Sequence, residues 1–219
     1  TFTTSASDAD ITLATTTNAF TGAVSLNTTG SGGNAEVIDA SALNLGASTV
    51  GGTLSARAVT GDISNSGNLA ITGAATFRTD AAESNIALDS SGNVFSSAVT
   101  LQADDGSEAF GNITFVDSAA VDFDSSASAN GDLYINASTD GAVGGNLSVT
   151  ATTGNITQNV ALAVTGTSTF ITGADGSNII LGNSGNVFTA AVTMKADTGG
   201  NEAFGNITFV DSAAGKLHS

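Results

Sequence analysis

Carboxylates are the residues best placed to do chemistry in this sequence. They cluster at Asp8/Asp10, Asp104/Asp105 and Asp117/Asp122/Asp124. A Ca2+ ion would draw roughly six to eight oxygens from such groups. The GGxGxD nonapeptide of calcium-binding β-rolls is absent, and the residues equivalent to Asp104/Asp105 are Asp197/Thr198, which breaks the pair. Paired acids can also cleave glycosidic bonds, one as acid and one as base or nucleophile. Enzymes of that kind acting on acidic sugars need Lys, Arg or His beside the carboxylates, and Arg57, Arg78 and Lys195 are scattered along the chain. A serine nucleophile needs a base, and His218 is the only histidine. No G-x-S-x-G elbow and no phosphate loop occurs. These residues predict no catalytic, cofactor-binding or metal site, and the acids read as solvated turn residues. Several Asn residues, among them Asn27 and Asn136, lie in N-x-Ser/Thr sequons, which a chain this rich in Asn, Ser and Thr produces by composition.

The elements that would carry any site are set by internal repetition. EAFGNITFVDSAA occurs at Glu108–Ala120 and again at Glu202–Ala214, 94 positions apart. Around it, Asn85–Asp104 matches Asn178–Asp197, Thr53–Ile63 matches Asn146–Ile156, and Leu69–Phe77 matches Leu162–Phe170, all at an offset of 93. The first 26 residues match Thr76–Leu101 at an offset of 75. The offsets differ by 18, with the extra length around Val121–Asn136. Repeat proteins ordinarily gain whole turns, so 18 suggests the turn length. Gly92, Gly111 and Gly131 stand 19 and 20 residues apart, which agrees. About 19 residues per coil predicts eleven to twelve coils over 219 residues.

Within each copy, apolar residues come in pairs two apart, as in Ile11/Leu13, Ile86/Leu88, Val99/Leu101, Ile113/Phe115 and Leu147/Val149. Period two puts both members on one face of a strand. No i, i+3, i+4, i+7 stripe predicts a helix. Short strands at this spacing suit either a β-sandwich or a solenoid. A sandwich could not lose 18 residues between copies and keep its fold, and the chain has neither Trp nor Pro. The expectation is a right-handed parallel β-helix, all-β, with one segment over 1–214 (copies about 1–75, 76–168 and 169–214). Residues 215–219, with Lys216-Leu217, read as a tail left by cloning. Phe77/Phe170, Phe95/Phe188, Phe115/Phe209 and Ile113/Ile207 recur at equivalent positions and are the expected core columns. Asn after Gly recurs at Asn34, Asn68, Asn93, Asn112, Asn146, Asn155, Asn186 and Asn206, and marks coil corners able to stack as a ladder.

Composition narrows the partners. Four Lys and Arg face twenty Asp and Glu, a net charge of −16. Nucleic acids and anionic membranes need a cationic surface, so neither is expected. No apolar run reaches the roughly 20 residues of a membrane helix. Cysteine is absent, which removes disulfides as a source of stability.

The phrases at Asn18–Gly30, Ala40–Ala56, Gly145–Gln158 and Leu162–Phe170, with recurring G-N-[ILV] and TGxxTF, resemble the repeats of filamentous haemagglutinin-type exoproteins. The resemblance implies export by two-partner secretion, a bacterial surface location, and a β-helical shaft with an adhesin or toxin-delivery role. The chain starts and stops within repeats, so it is expected to be a piece of something longer. Its expected partners are neighbouring coils and host-cell or surface glycans and proteins. No receptor-binding residue carries over. A carbohydrate-active β-helix and a direct carbohydrate or host-protein binding module are the competing readings.

Overall fold

In a computed structural model, residues 1–103, 111–124, 132–135, 142–196 and 204–213 are described. The first turn holds β1 (Phe2–Ser7) and β2 (Ile11–Leu13). Three-strand turns follow: β3 (Leu26–Thr29), β4 (Ala35–Asp39) and β5 (Leu43–Leu45), then β6 (Ser48–Val50), β7 (Leu54–Ala58) and β8 (Ile63–Asn65). Next come β9 (Leu69–Ile71), β10 (Ala75–Thr79) and β11 (Ile86–Leu88), then β12 (Val94–Phe95), β13 (Val99–Ala103) and β14 (Ile113–Asp117). An irregular level contains β15 (Val121–Phe123), β16 (Asp132–Ile135) and β17 (Ala142–Val143). Regular winding resumes with β18 (Leu147–Ala151), β19 (Ile156–Gln158) and β20 (Ala163–Val164), and β21 (Ser168–Thr172), β22 (Ile179–Leu181) and β23 (Val187–Phe188). The last strands are β24 (Val192–Ala196) and β25 (Ile207–Phe209).

Apart from β15 and β16, consecutive described strands do not pair; each pairs in parallel with a strand one turn away. A ten-stranded sheet (β2-β4-β7-β10-β13-β16-β15-β19-β22-β25) and a seven-stranded sheet (β5-β8-β11-β14-β18-β21-β24) run along the stack. A third wall is a five-stranded sheet, β1-β3-β6-β9-β12, in the first half and a three-stranded sheet, β17-β20-β23, in the second. The result is an all-β parallel solenoid of about 8 turns, with no helix among the described residues. Alternation drives it. In β7, Leu54, Ala56 and Ala58 are buried while Ser55 is exposed, and β10, β13, β14 and β18 alternate likewise. Each buried row is covered only when the next turn stacks on it, so the core is one continuous column.

The turn count corrects the expected eleven to twelve. In the ten-stranded sheet, successive register partners stand 24, 19, 21 and 24 residues apart (Ile11, Ala35, Leu54, Ala75, Val99). The Gly-Asn spacing misled because Gly-Asn marks more than one corner of the same turn. Gly92 sits against Asn68 and Gly111 against Ser84. A Cβ on Gly111 would collide with the Ser84 carbonyl, which is why that corner needs glycine. About 8 turns at roughly 4.8 Å each make a stack about 40 Å long.

The sequence repeat is also not a whole number of turns. β10 and its equivalent β21 lie in different sheets, as do β11 and β22, and β14 and β25. The exchange arises in the insertion at Val121–Asn136. There β16 enters the ten-stranded sheet between β13 and β15, and the seven-stranded sheet passes directly from β14 to β18. The strands β14 and β25 of the two EAFGNITFVDSAA copies therefore lie in different walls.

Candidate functional site

Asp10 accepts hydrogen bonds from Asn34 N (2.8 Å) and Asn34 Nδ2 (3.2 Å), one turn above. Asp8, with φ of 60°, accepts from Gly32 N at 2.8 Å. Asp122 accepts from Thr157 Oγ1 (2.7 Å) and Asn159 Nδ2 (2.9 Å), and Asp124 shares that Asn159 amide at 3.0 Å. Each carboxylate thus bonds a donor on a neighbouring turn, Asp122 and Asp124 meeting on the one Asn159 amide. No group of three or more His, Cys, Asp or Glu able to hold a metal forms among the described residues. Asp104, Asp105, Lys216 and His218 lie outside the described residues, as do Phe110 and Asn136.

Asp117 behaves differently from a solvated turn acid. It is buried, and its Oδ1 accepts from Phe95 N (3.2 Å) and Ala119 N (3.3 Å). Burial pushes its carboxyl above the ordinary range, and hydrogen bonds from the backbone of Phe95, Ala119 and Ser118 hold the shift down. The same corner recurs twice. Asp39 is held by Phe20 N and Ser41 N, and Asp211 by Phe188 N and Ala213 N. The carboxylate clips a wall-to-wall corner to a Phe of the neighbouring turn, in a strand for Phe95 and Phe188 and outside one for Phe20.

The asparagines form the expected ladder, and it runs in one direction. Asn85 N donates to Asp62 Oδ1, Asn112 N to Asn85 Oδ1, Asn146 N to Asn112 Oδ1, and Thr167 N to Asn146 Oδ1, at 2.7 to 2.8 Å. A second file runs from Asn155 to Asn178 to Asn206, and a third from Asp10 through Asn34 to Thr53. Asn93 and Asn186 are not surface corners. Both are fully buried, where Asn93 Oδ1 takes Leu69 N and Asn65 Nδ2, and Asn186 Oδ1 takes Leu162 N and Gln158 Nε2.

Of the expected core residues, Phe77, Phe95, Phe115, Phe170, Phe188 and Ile113 are buried. Their rings run in file: Phe77–Phe95 at 6.0 Å and Phe95–Phe115 at 5.3 Å, then Phe123–Phe170 at 6.0 Å and Phe170–Phe188 at 6.1 Å. Phe209 packs only partly against the core, and Ile207 is 46% exposed, because β25 is the last strand of its sheet.

One cluster was missed in the sequence. Arg57 and Arg78 are register partners on the outward face of β7 and β10. Arg57 Nε donates to Asp80 Oδ2 at 2.6 Å, and Arg78 Nε lies 2.7 Å from Asp80 Oδ1. Their separation of 21 residues is one turn, a signal hidden by the shorter turn length inferred from glycine. Lys195, on β24 of the other long sheet, does not join them.

Parallel strands one turn apart, a single apolar column and side-chain ladders between turns define a β-solenoid repeat protein. The chain belongs to a family described as repeats of unknown function (DUF5649), whose model matches residues 1–27, 32–102 and 110–195. Comparison with curated proteins gives no match, and comparison with solved structures gives none. No described helix is long and apolar enough to cross a membrane.

Proposed function

We propose that this chain is a shaft segment of a large secreted, surface-attached bacterial exoprotein, mediating adhesion or carrying a distal binding or toxin domain. The observation that carries the reading is where the polar side chains go. Asp8, Asp10, Asn34, Asn112, Asn146, Asp122 and Asn155 each hydrogen-bond to the adjacent turn. Stacking is what these residues do, and a stack supplies length. The resemblance of Asn18–Gly30 and Gly145–Gln158 to filamentous haemagglutinin-type repeats supports the surface location and the two-partner route. In this reading the chain is not an enzyme, holds no cofactor, and meets host glycans or proteins only as part of the longer protein.

The test uses antibodies against the chain on intact and permeabilised producing cells, together with glycan arrays and polysaccharide-degradation assays. Labelling of intact cells, with no sugar released, is the expected result. Labelling only after permeabilisation overturns the surface reading. Polysaccharide cleavage that disappears in Asp10→Asn or Glu36→Gln, two acids sharing one open concavity on the ten-stranded sheet, overturns the structural one.

A further inference from the structure

The outer face of the ten-stranded sheet carries a cationic patch on a chain whose net charge is −16. Arg57 and Arg78 stand in register on β7 and β10, and the next residue of that file is Gln102 on β13. Two residues back along each strand, Ser55, Thr76 and Thr100 make a second outward file. Neighbouring rungs are about 4.8 Å apart, and the two files about 7 Å apart, because a strand rises roughly 3.4 Å per residue. Guanidinium and amide donors thus form a grid with a row of hydroxyls. One carboxylate orients both guanidinium groups. Asp80, only 15% exposed, takes Nε and Nη2 of Arg57 on its Oδ2 and Nε of Arg78 on its Oδ1. Arg57 Nη1 and both Nη atoms of Arg78 keep their N–H groups unspent, and the two side chains are 35% and 48% exposed. Two cations share one anion, so a positive charge is left over.

We propose that this face binds a carboxylate-bearing polysaccharide, a chain of uronate sugars laid against the grid. The planar fork of arginine matches the two oxygens of a carboxylate. Arg78 takes the sugar carboxylate on its free Nη pair, while the Gln102 amide and the Ser55, Thr76 and Thr100 hydroxyls take hydroxyls of the sugar rings. Two further acids stand near: Glu36, outward on β4 in register with Ser55, and Glu83 in the exposed turn after Asp80. Glu36 is two rungs, about 10 Å, from the rung of Arg78, so the Arg78–Gln102 end is the one open to an anion. The overall charge makes the site selective. A chain this acidic repels polyanions elsewhere, and holding one takes a local patch of matched charge and shape. This partner is independent of the shaft reading, since the patch needs neither a longer chain nor a surface location.

The experiment is biolayer interferometry of the full chain on immobilised polygalacturonate at about 0.15 M salt, where screening over roughly 8 Å mutes the distant carboxylates. Saturable binding is expected, with none to neutral dextran. Arg78→Gln weakens it by at least about tenfold, and Arg78→Lys, which keeps the charge and loses the fork, by at least about fivefold. Lys195→Gln, an exposed cation on the other long sheet, leaves it unchanged. Arg78 is half-exposed and Arg57 still pairs with Asp80 in its absence, so the variants keep their fold, and circular dichroism verifies this. No binding to polygalacturonate, or equal binding by Arg78→Gln, overturns the proposal. Equal or tighter binding to poly-glutamate overturns the sugar assignment, and tighter binding to dextran sulfate overturns the carboxylate.

Discussion

Replacing Asn186 by Ala tests whether buried amides hold the turns together. The side chain is fully buried. Its Oδ1 accepts from Leu162 N at 2.9 Å and Gln158 Nε2 at 2.8 Å. Its Nδ2 donates to Leu181 O (3.2 Å), Val210 O (3.0 Å) and Gln158 Oε1 (2.8 Å). Truncation leaves the Leu162 N–H buried without an acceptor, which costs about 1–3 kcal/mol. The other groups fare better. Leu181 O keeps Val210 N, and Gln158 keeps Val160 O and Asn183 N. Their reduced bonding adds about 1 kcal/mol, for a total near 3 kcal/mol. Urea unfolding followed by the strand signal in circular dichroism should show the midpoint falling with the slope unchanged. Asn206→Ala, at an exposed position, is the control and should stay within about 0.5 kcal/mol. A double cycle with Gln158→Ala should give a coupling of about 1 kcal/mol. A loss in Asn186→Ala no larger than the control would refute the reasoning, since it would mean water or relaxation satisfies Leu162 N–H at no cost.

Phe170→Ala should cost about 4 kcal/mol by the same assay, because the ring is fully buried between Phe123 and Phe188, whereas exposed Phe204→Ala should cost less than about 0.5 kcal/mol. Asp117→Asn should change the pH profile of stability. Since burial raises the folded carboxyl, its contribution to stability is full below the ordinary carboxylate range and lost as pH rises through the raised value. The variant should therefore gain on the parent as pH rises from 3 to 7, and a pH-independent difference would contradict this assignment. Deleting Ala75–Ala98, one full turn by the register Ala75↔Val99, should leave a folded solenoid, whereas deleting only Ala75–Asn85 should unfold it; thermal melts separate the two.

Strands were legible and turns were not, for a physical reason. Pairs such as Ile86/Leu88 and Leu147/Val149 are local, and period two shows directly which side chains share a face. The length of a turn is a non-local quantity, set by where one strand meets another of the same sheet. Gly92 and Gly111 looked like successive ticks of one clock, yet they stand at different corners. With the turn length wrong, the Arg57–Arg78 pairing could not be seen. Asn186 shares the Gly-Asn corner pattern with the ladder residues, and only the fold shows that its amide enters the core beside Gln158. The acids at Asp117 and Asp122 looked like a cluster in sequence, but strand alternation sends the first inward and leaves the second half-exposed.

The exchange of walls at β16 changes what the surface looks like to anything that grips from the side. A reader scanning one flank of the stack meets the outward residues of β10, Thr76 and Arg78, in the first half, and must go around the edge to find their counterparts Thr169 and Ile171 of β21. Two arms of one antibody raised against a single repeat copy could not both hold on along a straight line. Duplicated in sequence, the copies are not duplicated as epitopes, and the molecule has a distinguishable top, bottom and flank despite its monotonous text.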